Sequence, residues 1–312
     1  MKKFFYLILI SILLFSCKKS PEHFKVGISK VVSHPSLNLV EEGIKDTLKD
    51  KNIAIDVKIA NGELSTANLI ANTFKSGNKS LVVGIGTMSA QALKSVNTKT
   101  PLVFAAVSDP KQAKLLAPNV TGTSDNLTCV DKQLDLLLKY FPNTKNIAIF
   151  YCGSELNSIS QVETIENEAS KRGLHILKGS ATSSSEIPQV VSNLIKKADA
   201  IYIPTDNLMV SNISYLIDIA KKEKKPLITS ENSSVKLGAL FAYSVDYYEL
   251  GKKTGLMILE IKNGKNPKDI PIEEANPHLY VNKDTEKYFG IEIKEEHQWM
   301  TYWFLLVLYP NQ

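Results

Sequence analysis

Residues 84–93 read "GIGTMSAQAL" and directly follow the apolar run "SLVV" at Ser80–Val83. A short apolar strand, a glycine turn and a helix-forming stretch is how a parallel α/β sheet presents helix N–H groups to an anion. The turn fits neither common phosphate fingerprint. G-x-G-x-x-G lacks its third glycine because Ser89 stands there, and G-x-x-x-x-G-K-[ST] lacks its second glycine and its lysine. The stretch is therefore read as a cradle for a carboxylate.

The same rhythm extends on both sides. "FKVGIS" precedes a helix near 38–49, "IAIDVKIA" precedes one near 65–74, and "PLVFAAV" follows the helix that starts at Ser89. This β-α-β alternation, with continuous apolar strands, predicts a parallel sheet covered on both faces. After "NVTGTSDN" the pattern restarts with "NIAIFY", "HILKGS", "DAIYIP" and "KPLITS", separated by helices near 158–172, 185–196 and 208–222. Matching strands lie about 120 residues apart, which reads as a structural duplication. The fold class is α/β, with two Rossmann-like lobes facing one cleft and joined by a hinge of three crossings. The crossings fall near Thr121–Asn126, near Ala242–Gly251 and after Asn263–Pro267. The division expected is 24–123 with 247–266 for lobe one, and 124–246 with 267–295 for lobe two.

Ligands of such sheets bind at the carboxyl ends of the strands, so the candidate residues are those just after them. They are Thr87 and Ser89 in the opening stretch, Asn157 and Ser158 in "GSELNS", and Thr205 and Asp206 in "PTDNLMV". His34 in "VVSHPSLN" joins them, as does Asp246 in "SVDYYELG", where one side chain at a crossover can serve both lobes. Asp206 and Asp246 are the candidate partners of a ligand ammonium. Asp109 precedes Pro110, the pattern of a helix cap with proline in the first turn.

Other classes are excluded or disfavoured by composition. The chain of 312 residues carries a formal charge of +5, nearly all lysine, and its one arginine is Arg172. Without arginine clusters there is no nucleic-acid surface, and a bidentate guanidinium clamp on a carboxylate is almost unavailable. The five histidines are scattered, with no H-E-x-x-H, no G-x-S-x-G and no Walker motif, so no metal and no cofactor is expected. Cys129 and Cys152 read as buried thiols. Two alternatives share the same cleft: an exported hydrolase or lyase using Asp206 and Asp246 as acid and base, and a ligand-binding partner of a membrane sensor.

The first seventeen residues, "MKKFFYLILISILLFSC", have two lysines, an apolar run and a small residue before Cys17. They read as a secretory signal, too short to span a bilayer, ending in a lipobox-like "LFSC" that would leave Cys17 lipidated. Residues 18–23 form a polar tether. The segment 296–312, containing "WMTYWFLLVLY", is an apolar aromatic tail without an assigned role.

Taken in order, "HPSLN", "GTMSAQAL", "VFAAVSDP", "NVTGTSDN", "LNSISQVE", "AIYIPTDN", "LGALFAYSVDYYELGKKTG" and "PKDIPIE" resemble the substrate-binding lipoproteins of ABC importers. The group in question includes tryptophan- and tyrosine-binding members. The resemblance implies a type I periplasmic-binding fold that closes on a small zwitterionic solute, an aromatic amino acid, with a nucleoside or another small solute as the open alternative. It implies delivery to a membrane permease with its ATPase, no catalysis, and a cleft lined by Thr87, Ser89, Asn157, Ser158, Thr205, Asp206 and Asp246. It also implies an exported chain held on the cell envelope through Cys17. Met88 departs from the family, standing where a proline or small residue is usual.

Overall fold

The computed structural model describes residues 23–97, 99–126 and 129–294. The signal segment, Cys17, most of the tether and the apolar tail lie outside the described residues.

Two six-stranded sheets carry the chain. The first takes β1 (Phe24–Lys30), β2 (Ile53–Ile59), β3 (Leu81–Ile85), β4 (Leu102–Ala105) and β5 (Val120–Ser124), with α1 (Pro35–Leu48), α2 (Leu64–Ser76) and α3 (Thr87–Val96) in the crossovers. After α4 (Val130–Tyr140) the second is built from β6 (Asn146–Cys152), α5 (Leu156–Ser170), β7 (His175–Ala181), α6 (Ile187–Leu194) and β8 (Ala200–Ile203). It continues through α7 (Asn207–Ser211), α8 (Ile213–Lys222), β9 (Leu227–Thr229), α9 (Asn232–Leu237) and β10 (Phe241–Ser244). The chain then runs through α10 (Tyr247–Lys262), β11 (Glu273–Glu274), β12 (His278–Val281) and α11 (Lys283–Tyr288).

The strand orders are β11-β5-β4-β3-β1-β2 and β12-β10-β9-β8-β6-β7. Every pairing is parallel except β10 with β12. Strand alternation divides each lobe into two cores. In lobe one, Leu81, Val83, Ile85 and Val103 pack with α1 and α10, while Val82, Leu102 and Phe104 pack with α2 and α3. Burial on both faces explains why these strands read as unbroken apolar runs.

The duplication is thus present, with two departures in detail. The stretch expected as one helix over 208–222 is two, because the chain breaks at Asn212, whose side-chain amide donates to the Leu208 carbonyl at 2.8 Å. The third crossing also falls later than the division at 266/267. Glu273–Glu274 pair with Thr123–Ser124 in the first sheet, and Thr121 Oγ1 donates to the Ile270 carbonyl at 2.9 Å. Residues 267–274 therefore belong with lobe one, and the chain crosses between Glu274 and His278. The helix α10 packs on α1.

Candidate functional site

The opening stretch shows why its glycines are there. A Cβ on Gly84 would lie 2.4 Å from Ala90 Cα, so glycine lets α3 press against β3. Gly86 is the residue before α3 and has φ +86°, a left-handed conformation that glycine adopts without strain. No side chain caps this helix, so its first N–H groups remain available at the cleft. Thr87 is the first helical residue and stands in the wall of an inter-lobe cavity.

That cavity is narrow: about 340 Å³ counting all non-atom space along it, of which about 20 Å³ is open to the centre of a water-sized sphere. Lobe one and the first crossing contribute His34, Leu37, Thr87, Ala106, Ser108 and Asp125. Lobe two contributes Asn157, Thr205, Asp206, Asn207, Val210 and Glu231, and Tyr247 reaches in from the start of α10. A second, more polar chamber adjoins it, sharing Thr87, Ser108 and Asn157 and adding Gln112, Asn126, Ser160 and Gln161.

Three carboxylates line the inner cavity, and each is held differently. Asp125 is 2% exposed; its Oδ1 accepts from Ser108 Oγ at 3.0 Å and its Oδ2 from Tyr247 Oη at 3.1 Å. Asp206 caps α7: Oδ1 accepts from Met209 N at 2.7 Å and Oδ2 from Cys152 N at 2.5 Å. Glu231 caps α9 through Ser233 N and Ser234 N, both at 2.8 Å, and accepts from Ser36 Oγ of lobe one. Burial raises the pKa of all three, and for Asp206 burial together with the charge of Glu155 pushes it up to about 7.

Among the described residues, no lysine or arginine lines the cavity. Lys30, buried at the end of β1, is tied to Glu41 at 2.5 Å and Asn38 at 2.7 Å. Arg172 sits with Asp135 and Glu168 elsewhere on lobe two. His34, with Nε2 facing Asn207 Oδ1 at 3.3 Å, is lowered to about 4 by burial and stays neutral at physiological pH. The cavity is therefore an acidic hollow lined by the first turns of α1, α3 and α5, none of them capped by a side chain, and is suited to a ligand that brings its own cation.

Of the residues singled out in the sequence, Thr87, Asn157, Thr205, Asp206 and His34 meet in this wall. Three do not. Ser89 is fully buried and turned toward β1, where its Oγ accepts from Ser29 Oγ at 3.2 Å. Ser158 is also fully buried, behind the wall and beside Asp206. Asp246 is exposed; its Oδ1 accepts from Tyr248 N at 2.9 Å and Glu249 N at 3.0 Å, so it is spent as the cap of α10. Asp206 and Asp246 do not share a cavity, and the acid–base pair of the hydrolase alternative is absent. At that crossover the cleft receives the next residue, Tyr247, instead.

The sequence reading missed Asp125, Ser108, Glu231 and Tyr247. Glu231 stands two residues after β9, so the end-of-strand rule that selected Asp206 would have found it. Asp125 lies one residue after β5, inside the stretch recognised only as a crossing. Met88 packs against the apolar clusters on both faces of the first sheet, which accounts for a large residue in that turn. Cys129 and Cys152 are buried free thiols, and Asp109 accepts from Gln112 N at 2.8 Å in a turn, where no helix follows it.

The lobes are shut on one another, with His34 meeting Asn207, and Ser36 meeting Glu231 and Ser233, across the cleft. Comparison with solved structures agrees. The ABC domain from Streptococcus pneumonia in complex with L-Trp is 33% identical, over 88% of this chain and 97% of that one, with a TM-score of 0.83. The ligand-free, open structure of a substrate binding protein with adhesive properties from Clostridium difficile is 36% identical over the same shares, yet its TM-score is 0.65. Among curated proteins, a tyrosine-binding protein of Clostridioides difficile (strain R20291) is 37% identical over 286 residues, 88% of this chain and 83% of that protein. Residues 25–299 match the family described as ABC transporter substrate binding protein. With two duplicated lobes closed over a cavity, and with matches that span most of its length, the chain belongs to the ABC transporter substrate-binding protein family.

Proposed function

We propose that the inner cavity captures a zwitterionic aromatic amino acid for delivery to a membrane permease. The observation that carries this is the charge layout of the hollow: buried acids, no lysine or arginine among the described lining residues, and the uncapped start of α3 in the same wall. A ligand ammonium meets Asp125, with Glu231 and Asp206 as further acids in the wall. Asp125 suits this role because side-chain hydroxyls of Ser108 and Tyr247 hold its oxygens, whereas Asp206 and Glu231 serve as helix caps for backbone N–H groups. The ligand carboxylate meets Thr87 and the first N–H groups of α3, where the helix dipole favours negative charge. Leu37, Val210 and Tyr247 offer apolar surface to a ring. Relatives named for tyrosine and crystallised with L-Trp support the aromatic class.

As a member of its family the protein works outside the cytoplasm, and none of its described helices is long and apolar enough to cross a membrane. We further propose that it is exported and held on the envelope by lipid on Cys17, and that it performs no catalysis. Incorporation of labelled fatty acid, abolished by Cys17→Ser, checks the anchor.

Calorimetric titration with L-tryptophan, L-tyrosine and L-phenylalanine tests the ligand class. At least one is expected to bind and to raise the melting temperature with the logarithm of its concentration. No binding by all three overturns the reading.

A further inference from the structure

Some contacts across the cleft involve no solute. They come from "SHPS" (Ser33–Ser36), where the chain leaves β1 and enters α1. Pro35 opens the helix and His34 makes no side-chain cap, and the first turn meets the other lobe through His34 and Ser36. Ser36 Oγ donates to Glu231 Oε2 and lies 2.8 Å from Ser233 Oγ. Ser36 is 1% exposed but does not line the cavity.

Glu231 is satisfied within its own lobe by the two N–H groups it caps, so its local role does not need Ser36. Closing the lobes, however, strips water from this carboxylate, which costs stability unless another donor replaces that water. Ser36 is that donor, and it belongs to the opposite lobe. The geometry points to Ser36 as a closure latch: its hydroxyl, delivered to Glu231, favours the shut arrangement over the open one without touching the solute. It is a positioning residue that sets how long a solute stays, and it leaves the choice of solute to the cavity wall. The proposal rests on lobe closure and not on which solute is bound.

A latch acting only on closure changes every affinity by one factor. Ser36→Ala is expected to weaken binding of L-tryptophan, L-tyrosine and L-phenylalanine by the same factor, about tenfold, through faster dissociation. Their ratios should stay fixed. Small-angle X-ray scattering of the ligand-free protein should show a smaller closed fraction in Ser36→Ala than in wild type, a readout that needs no ligand. The ligand-free melting temperature should be unchanged. The latch is overturned by identical ligand-free scattering, by affinity ratios that shift between ligands, or by a lower ligand-free melting temperature, which would make Ser36 a support of lobe one. Absence of binding by wild type leaves the scattering comparison to decide the latch, and sinks only the amino-acid reading.

Discussion

The side chains of the cavity divide into those with capacity to spare and those already committed. Asp125 has capacity to spare. Replacing it by Asn keeps the hydrogen-bonding outline and removes the charge, so binding of the amino acid should fall about 100-fold with little change in folding. Calorimetry on Asp125→Asn checks this, and unchanged affinity moves the ammonium to another acid. Titration also separates two buried neighbours. His34 is held near 4, below its ordinary 6.5, so the stability it lends is complete above pH 6.5 and is lost as pH falls toward 4. Asp206 is raised from 3.8 to about 7, so its buried charge costs stability above pH 7 and the cost is relieved as pH falls. Asp125 and Glu231 are raised by burial and act in the same direction as Asp206. The windows overlap with opposite sign. Melting temperature between pH 7 and about 4 should therefore rise more on acidification in His34→Gln than in wild type, and rise less or fall in Asp206→Asn. Parallel curves for the two variants would contradict these assignments.

At the scale of elements, β–α–β order and the ends of strands were legible because burial and periodicity write themselves into composition. Thr87, Asn157, Thr205 and Asp206 could be placed at the cleft because each follows a strand. What the sequence does not display is which way a side chain turns at a helix start. Asp246 and Asp125 both lie at crossings and both are acids. One folds back to cap α10 and the other enters the cavity, a difference decided by tertiary contacts with Ser108 and Tyr247. The seam between α1 and α10 was equally hidden. A Cβ on Gly251 would fall 2.2 Å from the Val40 carbonyl oxygen, and one on Gly43 would fall 2.3 Å from that of Tyr248, so these helices meet backbone to backbone. Gly251→Ala should lose about 2–3 kcal/mol in urea unfolding through overpacking. Because α10 carries Tyr247, the same variant should also weaken ligand binding. A stability loss without any effect on affinity would show that the seam and the cavity are uncoupled.

At the scale of the whole molecule, two lobes with separate cores are joined only through three crossings, so their relative motion is the natural soft mode. Saturating ligand should lower the radius of gyration in solution, whereas a ligand unable to span the cleft should bind one lobe without that change. Leu156 of lobe two packs against the apolar cluster of lobe one that includes Met88, giving closure an oily edge besides the polar one at Ser36.

The shut hollow also works as a gauge. Its walls leave little free volume and most of its lining side chains are buried, so a solute bulkier than the hollow admits props the jaws apart. The α1 and α9 ends then fail to meet. The bulk of a solute thereby sets the gap at the edge of the cleft, where Ser36 otherwise reaches Glu231.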